Sequence, residues 1–228
     1  DEAWLREAAA GPDALVVPVW QAKSLVRRSE TGLVAVYLAA TEETPGESAD
    51  GGLVLLGRHE DKVYFARELT DPAAVVERTG GRFEDLRLAG AMLDARQAGV
   101  LAYARALFYW RSRNRFCGAC GAPCVAASGG HVQKCTNEHC AAEHFPRLDP
   151  AIIVLVTDGE RALLGRQASW PEGRYSTIAG FVEPGESLED AVAREVAEET
   201  GIAIEKADYH SSQPWPFPSS LMIGYSAA

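Results

Sequence analysis

Apolar residues come in short blocks along the first ninety positions. Residues 15–20 (Leu-Val-Val-Pro-Val-Trp), 33–38, 53–56 and 63–66 are runs of β-branched, aromatic and aliphatic side chains, and they predict four strands of a small mixed domain. The stretch from Thr41 to Gly52 is polar and rich in Gly, Pro and acid, so it predicts a loop. The period then changes. Leu93, Gln97, Val100, Leu101, Ala104, Leu107 and Phe108 recur near helical spacing, which predicts a helix over 91–110 that links the first domain to the rest. Beyond a short Cys-rich module the blocks become strand-like again, at 151–156, 162–165, 175–179 and finally 221–225. Asp158-Gly159-Glu160 turns the first two of these into a hairpin.

One stretch is amphipathic in an unusual way. Ser187 can cap a helix, Asp190 stands where a capping box places its acid, and Gly201 can end the helix in the left-handed conformation, so a helix over 188–200 is expected. Projected at about 100° per residue, Leu188, Val192 and Val196 form the apolar stripe. Glu195 and Glu199 fall within or beside it, and Glu198 is next to them. Acids on a helix ordinarily face water; here the solvated face is at Asp190, Ala193 and Ala197. Carboxylates pressed toward a core are costly unless neutralised, and a hard divalent cation, Mg²⁺ or Mn²⁺, does that with oxygen ligands. Glu195, Glu198 and Glu199 have the i, i+3, i+4 spacing that converges on one site. Gly180 and Gly185 bracket a loop that must turn from strand to helix and admit a ligand to the backbone. A cation beside such a loop suits phosphate chemistry.

Composition narrows the class. With 228 residues, 47% hydrophobic and 24% charged, the chain reads as an ordinary globular protein. No run of eighteen apolar residues is present, so no membrane span is expected. Residues 1–4 lack the features of a signal peptide, and Asp1 stands where an initiating Met would, which suggests a trimmed start. A net charge of −10 argues against a protein that coats nucleic acid. Locally, Arg105, Arg111, Arg113, Arg115, Lys134 and Arg147 outnumber Glu138 and Glu143, a patch that either meets phosphate or is simply solvated.

All five cysteines fall between Cys117 and Cys140. Cys117-Gly-Ala-Cys120 and Cys135-Thr-Asn-Glu-His-Cys140 are two close pairs, and four thiolates so spaced suit one structural zinc per chain. A closed four-sulfur site has no open position for chemistry. Cys124 is left over. His131, His139 and His144 are expected on the surface or in packing, and a zinc ribbon that binds nucleic acid is the functional rival. Clustered thiols also point to a reducing compartment, the cytoplasm.

The residues from Gly180 to Ile202 resemble the Nudix box, Gly-x5-Glu-x7-Arg-Glu-U-x-Glu-Glu-x-Gly-U with U aliphatic. Gly180, Glu186, Arg194, Glu195, Val196, Glu198, Glu199, Gly201 and Ile202 fill its defined positions. The resemblance implies hydrolysis of a nucleoside diphosphate linked to another moiety, with Glu195, Glu198 and Glu199 on the metals and Arg194 fixing helix and loop. A second stretch, Ser212-Gln213-Pro214-Trp215-Pro216-Phe217-Pro218-Ser219-Ser220, reads alone as a Pro-rich packing turn. After a Nudix box it resembles the signature of NADH pyrophosphatases, as do the four-cysteine module and Phe145-Pro-Arg-Leu-Asp-Pro-Ala-Ile-Ile.

That resemblance implies an α+β chain with a small mixed domain (1–95), a linker helix (96–112), a zinc ribbon (113–146) and a Nudix α/β/α sandwich with a mixed sheet (147–228). It implies an NAD⁺ diphosphatase splitting NADH or NAD⁺ into NMN(H) and AMP, with Glu199 or a hydroxide on the metal as base. Removal of the NAD cap from RNA is the same cleavage on a larger substrate. Phe145 and Phe181 would stack on the base, and Ala179, Gln213, Pro214, Trp215, Pro216, Phe217, Pro218, Ser219 and Ser220 would line the pocket. A homodimer is implied, with residues 1–90, which carry no catalytic signature, as scaffold or dimer surface. The fold would also continue past Ala228 with more strand, a final helix and another metal-binding Glu, so the Nudix domain is expected to be incomplete at that end. The rivals are hydrolysis of another substrate such as ADP-ribose, and a non-catalytic zinc-ribbon RNA-binding protein.

Overall fold

The structure is a computed structural model that describes residues 2–40 and 52–228. The expected loop over 41–52 therefore lies, except for Gly52, outside the described residues. The chain divides into two compact units, Asp1–Arg147 and Leu148–Ala228.

The first unit runs α1 (Glu2–Ala10), β1 (Ala14–Trp20), β2 (Lys23–Ser29), β3 (Gly32–Ala35), β4 (Leu38–Ala39), β5 (Val54–His59), β6 (Lys62–Glu68), α2 (Ala73–Thr79), β7 (Arg82–Glu84), α3 (Leu86–Ala89) and α4 (Ala95–Arg113). The strands form one sheet in the order β3-β2-β1-β6-β5, with β4 on β1 and β7 on β2, and only the β1–β6 pairing is parallel. Val16, Leu25, Phe65 and Val75 are its buried core.

Three expectations change here. The run 33–38 is not one strand. It breaks after Ala35, where the amide of Val36 turns to the carbonyl of Leu25, and resumes as β4 on β1. β2 was hidden because five of its seven positions are charged or hydroxylated, and because its turn from β1 uses Gln21 and Ala22, both at positive φ (50° and 59°), in place of a recognisable Asn-Gly. The helix expected from Ala91 begins later. Leu93 is extended, and the Asp94 side chain caps α4 by accepting from the amides of Arg96 and Gln97.

α4 lies on the first sheet through Leu101, Ala104, Leu107 and Phe108, all buried, and Gln97 Oε1 accepts from the Ala35 amide at 2.9 Å. Its basic residues are only partly available as a surface patch. Arg111 is buried, with its guanidinium 5.6 Å from the Phe108 ring centroid, and partial burial lowers the pKa of Arg105.

The cysteine module is a small sheet, β8 (Cys124–Ala127), β9 (Val132–Cys135) and β10 (Glu143–His144), in the order β10-β9-β8. His131 ties it to the rest of the unit. Its Nε2 donates to the Leu55 carbonyl at 2.6 Å, which leaves Nδ1 to accept from Tyr103 Oη at 3.4 Å.

The second unit is β11 (Asp149–Asp158), β12 (Arg161–Leu163), β13 (Ile178–Phe181), α5 (Leu188–Thr200), β14 (Ala207–Trp215) and β15 (Ser220–Ala227). The sheet is mixed, β12-β11-β15-β14 with β13 also on β11, and β11 runs parallel to β15. α5 covers one face, where Ile152, Val154, Val156, Ile178 and Ile223 meet Ala191, Val192 and Val196. Successive side chains alternate across a strand, so Ile153 and Leu155 emerge on the other face, 36% and 42% exposed. Among the described residues α5 is the one helix of this unit, so one helical layer of the expected sandwich is seen. The Pro-rich stretch is also not simply a turn. Its first half, through Trp215, belongs to edge strand β14, where Pro214 is tolerated.

Candidate active site and zinc ribbon

The β13–α5 junction is built around Arg194. Ser187 caps the helix by accepting from the Asp190 amide at 3.1 Å, and Gly201 ends it at φ 74°. Before the helix, Gly185 takes φ 95°, a value that favours glycine, so the turn after β13 can close. Glu186 then reaches back to accept from the Glu183 amide at 2.7 Å. The Arg194 guanidinium grips Glu186 with two nitrogens (Nη2–Oε1 2.6 Å, Nε–Oε2 3.1 Å) and donates to the Phe181 carbonyl at 3.0 Å. It also reaches Glu195 Oε1 at 2.9 Å and Glu198 Oε2 at 3.1 Å. A fork–fork pair of this kind fixes direction as well as distance. Hydrogen bonds from Arg194 hold the Glu186 carboxyl below the usual carboxylate range, and the same bonds raise the pKa of Arg194.

The three acids of the helix are placed differently from one another. Glu195 is largely buried, its side chain 14% exposed, and it lies over β13. A Cβ on Gly180 would fall inside the Glu195 carboxylate. Gly180 thus makes room for an acid. Glu198 is tethered by Arg194, its side chain 62% exposed. Glu199, expected in or beside the apolar stripe, is exposed. It shares the azimuth of that stripe but sits beyond Val196, the last residue of the helix buried in the core. Among the described residues, the one close group of three or more potential metal-ligating side chains is made of cysteines. The three carboxylates are adjacent without forming such a group, because Arg194 draws two of them to itself. Their oxygens are nonetheless the donors a hard cation takes, and a buried Glu195 with one arginine for compensation fits Mg²⁺ or Mn²⁺.

Strand register places the substrate-lining candidates. Ala179 pairs with Ile153 and Phe181 with Ala151, while Met222 lies between Ala151 and Gln213, and Ser220 between Asp149 and Trp215. Directly paired residues share a sheet face. Ala179, Phe181, Gln213 and Trp215 therefore stand on the face opposite α5, and all four are exposed. Phe217 packs edge-on to Trp215 at 5.1 Å. Pro216 and Ser220 are buried, Pro214 and Pro218 are exposed, and Ser219 donates its hydroxyl to Asp149 Oδ2 at 2.8 Å. Phe145 belongs to the first unit and is 49% exposed.

In that unit, Cys117, Cys120, Cys135 and Cys140 bring their sulfurs within 4.8 Å of one another. Cys117–Cys140 and Cys120–Cys135 are 3.8 Å and 3.5 Å apart, close to the edge of a tetrahedron with Zn–S bonds of about 2.3 Å. The knuckles are backbone-made. Gly121 at φ 74° lets its amide return to the Cys117 carbonyl, and the amides of Cys140 and Ala141 both reach the Asn137 carbonyl. Cys124 is not in the group; it pairs across the sheet with Cys135. His144 is a participant that spacing did not reveal. Its Nε2 lies 3.4 Å from Cys117 Sγ and, first among several hydrogen bonds, brings that thiol down to about 6, whereas burial pushes Cys135 up to about 12. The signal available was a histidine four residues after Cys140, at the start of the Phe145 motif.

Three family models match in order along the chain: an NADH pyrophosphatase-like rudimentary NUDIX domain over 13–110, an NADH pyrophosphatase zinc ribbon domain over 112–145, and a NUDIX domain over 147–225. A protein named NAD-capped RNA hydrolase NudC from Stutzerimonas stutzeri is 45% identical over 75% of this chain and 60% of its own length. A Mycobacterium bovis protein of the same name is 39% identical over 98% of this chain and 70% of its own. Nudix hydrolase 19, chloroplastic, from Arabidopsis thaliana is 40% identical over 96% and 52%. The chain thus spans about half to 70% of the length of these relatives. With all three family models in register and this identity over nearly its whole length, the chain belongs to the NADH pyrophosphatase (NAD-capped RNA hydrolase) family of Nudix hydrolases.

Proposed function

We propose that the protein hydrolyses the diphosphate bond of NADH or NAD⁺ to NMN(H) and AMP, and makes the same cut at the NAD cap of RNA. The observation that carries this reading is the Glu186–Arg194–Glu195 junction over Gly180, which holds a carboxylate-bearing helix against the strand that presents Phe181. The relatives' names support the choice of substrate. In this reading the nicotinamide or adenine ring stacks on Phe181, with Phe145 as a second stacking side chain. Ala179, Gln213 and Trp215 line the pocket, and Pro214 and the 216–220 turn shape its end. Water attacks one phosphorus, the P–O bond to the other phosphate breaks, and Glu199 takes the proton. Mg²⁺ or Mn²⁺ held by Glu195, Glu198 and Glu199 would neutralise phosphate oxygens and acidify the attacking water. Arg194 positions Glu195 and Glu198 and does not touch substrate. The zinc ribbon has a structural role.

The same reading divides the chain into a mixed domain (1–95), a linker helix (96–112), the ribbon (113–146) and the Nudix domain (147–228); the matches over 112–145 and 147–225 support its last two parts, while the match over 13–110 takes the helix with the first domain. It takes the protein as a cytoplasmic homodimer. Among the described residues no helix is long and apolar enough to cross a membrane. The test is product release from NADH, NAD-capped RNA and ADP-ribose side by side. NMN(H) and AMP from the first two, lost in Glu199→Gln with zinc content unchanged, is the expected result. Preference for ADP-ribose refutes the substrate assignment.

A further inference from the structure

A cavity of about 320 Å³ lies in the first unit between the start of α4 and the β5–β6 hairpin, and the hydrolysis reading leaves it unused. Tyr64 and Tyr103 line it, with Arg58, His59 and Arg96. Both rings are braced from outside it: Tyr64 packs edge-on to Tyr37 at 5.5 Å, and the Tyr103 hydroxyl lies 3.4 Å from His131 Nδ1.

Two residues of α4 at this cavity break local helix rules without a packing reason. Arg96 places a cation in the first turn, against the helix dipole. Gly99 stands inside a 19-residue helix, where glycine is among the poorest choices, yet nothing lies within 4 Å of where its Cβ would be. Rules broken together at one cavity point to a site. Among the described residues the cavity lining holds Arg58, His59 and Arg96 and no acid; beside it Glu60 lies 3.6 Å from His59 Nε2 and 4.0 Å from Arg96, and the Asp94 carboxylate accepts at the Arg96 amide.

We infer that this cavity binds a nucleoside 5′-phosphate, free or as a residue of an RNA strand. Its base lies against Tyr64 and Tyr103 over the bare Gly99 surface, and its phosphate engages Arg58 and Arg96. Tyrosine faces accept any base, and guanidinium forks suit phosphate oxygens. The volume is at the lower end of small-molecule sites, which begin at about 300 Å³, so it admits one nucleotide.

The test is photo-crosslinking of the full chain with 8-azido-AMP and, separately, with a short 5′-phosphorylated RNA carrying 4-thiouridine, with adducts mapped by mass spectrometry. Adducts are expected on peptides holding Tyr64 or Tyr103. Gly99→Leu fills the cavity, Arg96→Glu reverses its charge, and both substitutions favour the helix. Arg96→Glu should cut these adducts by about tenfold, the scale of one lost charge-assisted bond, and Gly99→Leu should cut them by occupying the space, while NADH hydrolysis is unchanged. Stronger labelling by the RNA identifies a strand as the source, and stronger labelling by the mononucleotide a free ligand. Adducts confined to residues 148–228, or unchanged in both variants, overturn the inference. Labelling is read without turnover, so a chain labelled here that fails to split NADH would refute only the hydrolysis reading.

Discussion

The cysteine cluster and the acidic helix were both read as metal sites from spacing, yet only the cysteines are gathered. Short side chains on backbone-made turns leave Cys117, Cys120, Cys135 and Cys140 little choice of position, and their thiols can share a space without repulsion. The glutamates have long side chains and like charges, and a guanidinium is at hand. Arg194 takes hold of Glu195 and Glu198, while Glu199 stays in water. A ligand set fixed by backbone is visible before its metal arrives. One fixed by charge is compensated by whatever cation is near, here an arginine of the same helix.

Zinc removal should produce the largest effect. Structural zinc sites in small modules bind with apparent energies of about 10–16 kcal/mol, so chelation or Cys135→Ser should unfold the ribbon and, through His131, loosen β5 and α4. Limited proteolysis around 114–145 with parallel zinc analysis checks this; a ribbon equally resistant without zinc would remove the contrast between the two sites.

Gly180→Ala comes next. The new Cβ must displace the Glu195 carboxylate, an overpacking that costs about 1–3 kcal/mol and should abolish hydrolysis. The cost should largely vanish in a Glu195→Ala background, because the two residues compete for one space. Denaturant midpoints of the four proteins measure it, and strict additivity would show that Gly180 is glycine for another reason.

A smaller effect is pH-dependent. The Glu186 pKa is depressed by Arg194, so its contribution to stability is fully present above the unfolded value of about 4.3 and is lost as pH falls through the lower folded value. Glu186→Gln should flatten the acid limb of the stability curve below about pH 4.3 and lower the plateau above it; parallel curves would mean the pair contributes nothing. Smallest is the helix cap: Ser187→Ala should cost about 1 kcal/mol in thermal unfolding without changing zinc content.

How much of this was legible follows from how local each signal is. The ends of α5 were written in Ser187 and Gly201, the zinc ligands in two paired spacings, and the β11–β12 hairpin in Asp158-Gly159-Glu160. The β1–β2 hairpin was not, because Gln21 and Ala22 adopt positive φ only in a tertiary context that holds them there. The exposure of Glu199 depends on where the core stops along α5, which a helical projection cannot contain. The reason for Gly180 lies fifteen residues away in Glu195, and the partner of His144 lies across the ribbon in Cys117.

Arg194 holds the place of a cation between Glu195 and Glu198, with Glu199 beside them in water. The most direct measurement is a crystal soaked in Mn²⁺ and recorded at the manganese edge. The account predicts anomalous density between those three carboxylates, with Glu195 and Glu198 turned from Arg194 toward the ion while Arg194 keeps Glu186. Saturating Mn²⁺ with no density there, and the Arg194 contacts to Glu195 and Glu198 intact, would contradict it.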